Sequence, residues 1–329
     1  MLKDAAPDYV SGARIGRDFQ VSRAAVWKHI EELRQEGYLI EACSRRGYRM
    51  LPSEEKLNAW EISNNLGASV IGSEIQYFES LDSTNRYAGR LASEGCRDGL
   101  TVIAGAQTEG RGRIGRNWES PAGMGIYLSV VLRPPMDPFE TPILTLAAAV
   151  ATVNALRKAA GVEAGIKWPN DLILDGKKVC GILLEMSSEA DRVNHVIIGI
   201  GINYAQRRED FPEELRGRAI SLKMAEAEGI TENRTFGRIT VIQEVLRELD
   251  SAFKRILEGD GGKILDSWRA HSVTLGREIV FHLKGVEYCG TAVDISEDGR
   301  LVVDCRDGIR RDLVSGEISI RGINGYAGG

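Results

Sequence analysis

Gly110-Arg111-Gly112-Arg113-Ile114-Gly115-Arg116-Asn117-Trp118 decides how this chain is read. Its glycines let backbone N–H groups come close to a ligand, and its arginines bring fixed positive charge. A loop of this kind closes over something anionic, although a charged run taken alone also fits a solvated basic hairpin. The apolar segment from Thr101 to Ala106 reads as a buried strand, so the loop hangs off a sheet edge. Gly-x-Gly-x-x-Gly also matches the dinucleotide-binding turn, but that turn opens a helix. Here Trp118-Glu119-Ser120-Pro121-Ala122-Gly123 follows and cannot carry one. No Gly-Lys-Ser/Thr closes the loop, so it is not a P-loop either.

Upstream, the strand at Tyr77 ends in a polar cluster through Ser83-Thr84-Asn85, which caps a helix running to Ser93. Downstream, Gly125 to Leu132 reads as a strand and Ile143 to Ala160 as an Ala-rich buried helix. Ile166-Lys167-Trp168-Pro169-Asn170-Asp171-Leu172-Ile173-Leu174 reads as a strand broken by proline and resumed. Lys177 and Lys178 then open an almost uninterrupted apolar strand to Glu185, and Val196 to Asn203 is another. Strands this apolar are covered on both faces. A helix over 56–66 enters this region, and an amphipathic helix over 235–258 leaves it. From about Ser272 five short strands with glycine turns read as a small SH3-like barrel.

The first fifty residues have a different texture. Ser11 caps a short helix to Asp18. Ser22 caps a second to Gln35, with Val26, Ile30 and Leu33 on one stripe. Two strands then flank a basic tip at Ser44-Arg45-Arg46-Gly47. The pattern is that of a winged helix-turn-helix, with Ser22, Arg23, Trp27, Lys28, Arg45 and Arg46 as candidate DNA contacts. A small helical cap docked on the body is the alternative. Only Met1 to Val10 precede Ser11, with Pro7 among them, so the usual first helix is expected to be short. Residues 1–52 carry a net charge of +2 and the remainder −7, a weakly basic head on an acidic body. The expected organisation is α+β: a head over 1–52, a central α/β domain with a mixed sheet over 53–271, and the small barrel over 272–329.

The five cysteines (Cys43, Cys96, Cys180, Cys289, Cys305) are scattered and form no C-x-x-C pair. This speaks against a disulfide framework or zinc site and for a reducing cytoplasm. No apolar run is expected to reach the roughly 18 residues of a membrane span, and the N-terminus lacks a signal-peptide core.

Ser83-Thr84-Asn85, Gln107 with the arginine loop, Lys167-Trp168-Pro169-Asn170-Asp171, Lys178-Val179-Cys180-Gly181 and Gly199-Ile200-Gly201-Ile202-Asn203 occur in one order at sensible spacing. Together they resemble the biotin protein ligases. With the winged head the chain is similar to their bifunctional class, which also represses biotin synthesis genes. The resemblance spans essentially the whole sequence. It implies a biotin/lipoate-ligase-like central fold and a two-step reaction. Biotin's carboxylate attacks the α-phosphorus of Mg-ATP to give biotinyl-5′-AMP, and a lysine of a biotin carrier domain then takes the biotinyl group. Lys178 and Arg113 are the implied catalytic residues. Ser83, Thr84, Asn85, Gln107, Gly110, Arg111, Gly181 and Gly199 would serve biotin together with them. Arg113, Arg116, Trp118, Asn170, Lys178, Asn203 and Arg321 would serve the nucleotide. Asp171 is a magnesium ligand or a strand-turn cap, and the residues leave both open. The implied partners are a biotin carboxyl carrier domain, operator DNA, and a second copy of the chain once adenylate is bound.

Two rivals stand beside this. Lipoate ligases and octanoyl transferases share the catalytic fold but lack the arginine loop. The transferases need a nucleophilic cysteine, and Cys180 lies inside an apolar strand. The other rival is chiefly a repressor with vestigial ligase activity; within the family, the alternative is a ligase whose N-terminal domain has lost its regulatory role.

Overall fold

A computed structural model describes residues 1–51, 55–189, 191–232, 235–283, 285–314 and 321–322. The chain divides into two compact units, Met1–Lys56 and Leu57–Gly329.

The first unit contains α1 (Leu2–Ala5), α2 (Gly12–Asp18), α3 (Arg23–Gln35), β1 (Ile40–Cys43) and β2 (Gly47–Met50). Ser11 and Ser22 cap α2 and α3, accepting hydrogen bonds from the Arg14 and Ala25 amides. Val26 and Ile30 pack on Tyr38 and Ile40, and Leu33 is half-buried beside them. β1 and β2 form an antiparallel hairpin, and Val10 adds a third short rung through paired hydrogen bonds with Tyr48. Gly47 makes that rung fit, because a β-carbon there would run into the Val10 carbonyl. As expected, the first helix is short, a single turn.

The second unit is built on a seven-stranded mixed sheet. In chain order it has α4 (Ala59–Ser63), β3 (Ile75–Phe78), α5 (Thr84–Ser93), β4 (Thr101–Ala104), β5 (Gly125–Leu132), α6 (Pro142–Ala160), β6 (Gly165–Lys167), β7 (Asp171–Leu174), β8 (Lys177–Ser188) and β9 (Val193–Asn203). The sheet order is β3-β4-β5-β9-β8-β7-β6; β3 and β4 run parallel, and every other neighbouring pair is antiparallel. Alternate residues serve alternate faces. Val102, Val131 and Ile197 pack with Ala88 and Ala92 of α5, whereas Ile103, Val130, Leu132 and Ile198 face the main core with α6. Coverage on both faces explains the continuous apolar strands.

Three helices follow, α7 (Leu222–Ala227), α8 (Arg238–Leu257) and α9 (Gly261–His271). α8 is fixed at Asp250, whose carboxylate accepts hydrogen bonds from the Ser69, Val70 and Ile71 amides and the Ser69 hydroxyl. The chain then forms β10 (Glu278–Leu283), β11 (Val286–Ile295), β12 (Leu301–Cys305), β13 (Arg310–Leu313) and β14 (Arg321–Gly322), an antiparallel sheet in the order β13-β12-β11-β10-β14. Phe281, Ala292, Leu301 and Val303 join the core of the larger sheet.

Several expectations need correction. The helix expected over 56–66 covers only Ala59–Ser63, because Asn58 caps it and Asn64 is already extended. The Trp168-Pro169 break does not lead back into the same strand. It reverses the chain, so β6 and β7 pair as a hairpin. α9 and α7 had no sequence signal strong enough to name them. One segment, Pro138–Ala160, is after all long and apolar enough to cross a membrane, but 72% of its apolar window is buried in the core. The last expected strand, Glu317 to Arg321, falls mostly outside the described residues. No cysteine pairs with another.

Candidate active site

The two parallel strands deliver the first half of the site. β3 and β4 end at the same sheet edge, where ligands collect in α/β folds. Leu81 bridges Gln107, so the helix start Ser83-Thr84-Asn85 lies beside Gln107 and the arginine loop. The antiparallel strands supply the second half. Gly181 of β8 sits opposite Gly201 of β9 on one side and Asp171 of β7 on the other.

A cleft of roughly 460 Å³, part of it open to solvent, lies between them. Its lining includes Ser83, Thr84, Asn85, Gln107, Arg111, Arg113, Trp118, Asn170, Lys178, Gly181 and Gly199. One end is a neutral hydrogen-bonding wall. The Gln107 side-chain oxygen accepts from the Thr84 amide at 2.8 Å, and its nitrogen donates to Ser120 Oγ at 2.8 Å. Ser129 Oγ lies 2.7 Å from Thr84 Oγ1 and 2.6 Å from Asn85 Oδ1.

The other end is cationic. Lys178 Nζ is 2.6 Å from Asp171 Oδ1 and 5.1 Å from the centre of the Trp118 ring. Arg113 donates to Asn170 Oδ1 at 2.9 Å, and Asn170 in turn donates to the Ile182 carbonyl. Burial is the main influence on the Arg113 guanidinium and pulls its pKa down; Asp171 opposes this, and Arg116 adds to it. An arginine so placed stays charged, and a desolvated cation meets a phosphate with little screening.

The arginine loop is a narrow hairpin. Arg111 bridges Asn117, and the Gly112 amide donates to the Arg116 carbonyl. A single 3-10 turn, Arg113–Gly115, stands where a dinucleotide fold would have a helix. Ile114 in that turn has φ 55°, a left-handed conformation that β-branched residues take only under constraint. Trp118 folds back over two glycines. A β-carbon at Gly201 would come within 2.6 Å of its Nε1, and one at Gly181 within 2.9 Å of Cζ3. Trp118 Nε1 is buried without a hydrogen-bond partner among the described residues.

Residues 77–203 match the Biotin/lipoate A/B protein ligase family, residues 1–49 an HTH domain, and residues 274–321 the Biotin protein ligase C terminal domain. The chain is 39% identical over 320 residues to "Bifunctional ligase/repressor BirA" of Bacillus spizizenii, covering 97% of this chain and 96% of that one. The Escherichia coli protein of the same name is 32% identical over 314 residues, covering 95% and 94%. This chain belongs to the bifunctional biotin ligase/repressor family. Among solved structures it is similar to the biotin protein ligase from Aquifex aeolicus in complex with biotin and ATP. That likeness has a TM-score of 0.63 and 30% identity, over 76% of this chain and 99% of the other.

Most residues anticipated for a biotin ligase converge on the cleft, but some do not line it. Gly110 lies under the loop, where a β-carbon would strike the Trp118 carbonyl. Arg116 is exposed beside the 3-10 turn. Asn203 donates to the Lys178 and Ile220 carbonyls and braces the strand that carries Lys178. Gly199 gives no open floor, because the Asn85 amide fills the space over it. Asp171 is ion-paired with Lys178, and no group of three or more His, Cys, Asp or Glu among the described residues could hold a metal. Arg321 pairs with Val280 through its backbone; its side chain lies outside the described residues. Cys180 is completely buried, and burial pushes its thiol well up, the reverse of a nucleophile.

In the head, Arg23, Trp27 and Lys28 are exposed on α3. Arg45 sits at the hairpin tip with φ 68°, and Arg46 stacks over Tyr9 at 4.2 Å. Ser22 is engaged in capping α3. Sequence reasoning missed Ser129, Ser120, Glu185 and Gly201. Ser129 is the one polar residue in the strand Gly125–Leu132, and Glu185 the first charge after a run of apolar residues. Both were visible as exceptions.

Proposed function

We propose that this chain is an ATP-dependent biotin protein ligase that forms biotinyl-5′-AMP and passes the biotinyl group to a lysine of an acetyl-CoA-carboxylase-type carrier domain. One observation carries the reading: a single cleft has a neutral hydrogen-bonding wall at one end and Lys178 and Arg113 at the other, with Arg111 beside the wall. A ureido head suits the first end and a reacting carboxylate and phosphate the second. Both chemical steps gather or disperse charge around the α-phosphate, so fixed cations do most of the catalysis. Lys178 is assigned to the α-phosphate and the attacking carboxylate, Arg113 to the anhydride, and Arg111 and Arg116 to phosphate and loop closure. Trp118 leaves its glycine shelf to stack on adenine, with Asn170, Asn203 and Arg321 near the nucleotide. Thr84 and Gln107 hold biotin with Ser83, Asn85 and the Gly110 backbone, over Gly181, while Gly199 makes room for the Asn85 amide. Magnesium belongs to the substrate, riding on the triphosphate; Asp171 is the one candidate protein ligand and would first have to leave Lys178.

The test is pyrophosphate release from ATP on adding biotin. Lys178→Ala should lower the single-turnover rate of adenylate formation about a hundredfold, on the order of 3 kcal/mol. Full activity in that variant would remove Lys178 from the chemistry, and a parent chain inactive with biotin would overturn the ligase reading.

The exposed α3 and basic hairpin tip support a second activity. Residues 1–52 are assigned to operator DNA, 53–271 to ligation and 272–329 to covering the nucleotide side. Arg23, Trp27 and Lys28 would face the major groove and Arg45 and Arg46 the phosphates, while Ser22 serves by capping. A homodimer promoted by bound adenylate would present two heads to a palindrome, and the setting is cytoplasmic.

A further inference from the structure

We infer that Glu185 is a positioning residue that ties the arginine loop to the biotin end of the cleft. The inference rests on the ligase reading for its kinetic consequence, but not for its geometry. Glu185 lies on β8 opposite Ile197 of β9. Both of its carboxylate oxygens are committed. Oε1 is 2.7 Å from Arg111 Nη1, and Oε2 accepts from Asn85 Nδ2 at 2.8 Å. Asn85 in turn presents its oxygen to Ser129, which also touches Thr84.

The proton count in this chain is constrained. Asn85 Nδ2 points at a carboxylate and at the Leu183 carbonyl, so its amide orientation is fixed with Oδ1 toward Ser129. That oxygen needs the single Ser129 proton. The Thr84 hydroxyl then shares its one proton between Ser129 Oγ at 2.7 Å and the Gln107 oxygen at 3.1 Å, and the Thr84 backbone amide donates to that same Gln107 oxygen at 2.8 Å. The Glu185 charge thus orders the donors and acceptors of the biotin wall at one end and holds Arg111 at the other. Arg111 is one loop residue tethered to a rigid strand, and the loop's mouth is set by that tether. A loop held this way is nearer its closed position before ligand arrives, which lowers the ordering cost of binding.

Glu185→Gln separates the two contacts. A glutamine oxygen can still accept from Asn85, but its NH2 then faces Arg111, and two donors cannot bond. The wall is kept and the tether is lost. Glu185→Ala loses both. A half-exposed ion pair contributes up to about 1 kcal/mol, a factor of about five. For Glu185→Gln the expected result is a rise of about threefold to fivefold in KM for biotin with kcat within twofold of the parent. Trypsin should also cut the unliganded loop at Arg111, Arg113 or Arg116 several-fold faster, at an unchanged melting temperature. Glu185→Ala should raise KM further. Unchanged KM and unchanged tryptic rate in Glu185→Gln would overturn the inference, and so would equal falls in kcat and melting temperature, which mark a merely structural role. The tryptic rate needs no catalysis, so it tests the tether even if the parent chain proves inactive with biotin.

Discussion

At Gly199 a single β-carbon decides whether Asn85 can keep its place in the wall assigned to biotin. The Asn85 amide occupies the space where that carbon would stand. Asn85 cannot retreat without breaking its bonds to Ser129 and Glu185. Gly199→Ala is therefore expected to raise the dissociation constant for biotin more than tenfold while Gly262→Ala, with open space around it, does not; isothermal titration with biotin checks both. Equal affinity in Gly199→Ala and the parent would mean that Asn85 does not order the wall. Residue identities were legible in sequence wherever chemistry dictates a type: fixed cations, an amide, a tryptophan closing a glycine loop. What the residues do to one another was not. The Lys178–Asp171 pair and the position of Trp118 over Gly181 and Gly201 depend on strand register, and register is set by pairing across the whole sheet. Glu185 and Arg111 lie 74 positions apart, so no local pattern could have joined them.

At the scale of elements, α8 is clamped by a carboxylate acting as a local cap for another segment. Burial pushes the Asp250 carboxyl up, but the hydrogen bonds from Ser69, Val70 and Ile71 outweigh it, and the net direction is down. Its folded pKa lies below the ordinary 3.8, so its stabilisation is fully present above that value and fades as pH falls through the lower folded one. Asp250→Asn is expected to cost about 2 kcal/mol at pH 7, the worth of charge-assisted hydrogen bonds. Urea midpoints should show the gap between parent and variant closing as pH drops below the ordinary aspartate value. A gap independent of pH would mean that the charge is not what holds the segment. Element types were legible where periodicity was strong, as in α3, α6 and α8 and the apolar strands. They were not where one residue reverses a chain. Pro169 marked an interruption correctly, but proline alone does not say whether a strand resumes or folds back. The short α4 shows the same limit, because Asn58 and Asn64 confine a pattern that looked longer.

At the scale of the whole molecule, a ligase unit with its own core carries a head with a separate core. Binding of the head to DNA should depend on what the ligase unit holds. With a labelled palindromic duplex from upstream of a biotin-synthesis gene, anisotropy at fixed salt should show tight binding only with biotin and Mg-ATP together. Replacing both Arg45 and Arg46 by alanine should reduce the salt slope by about two, one for each lost phosphate contact. Adenylate formation without specific binding would leave a ligase whose short α1 no longer supports repression. The molecule's five tryptophans have another consequence. Trp168 and Trp268 are sealed in the core, and Trp27 and Trp60 are largely in water at 60% and 58% exposure. None of those four lines the cleft; Trp118 does, half-buried under an ammonium group and with its indole N–H unsatisfied. The chain therefore carries an optical probe of its own occupancy: any ligand that lifts Trp118 from its shelf changes the emission of the one tryptophan that lines the cleft.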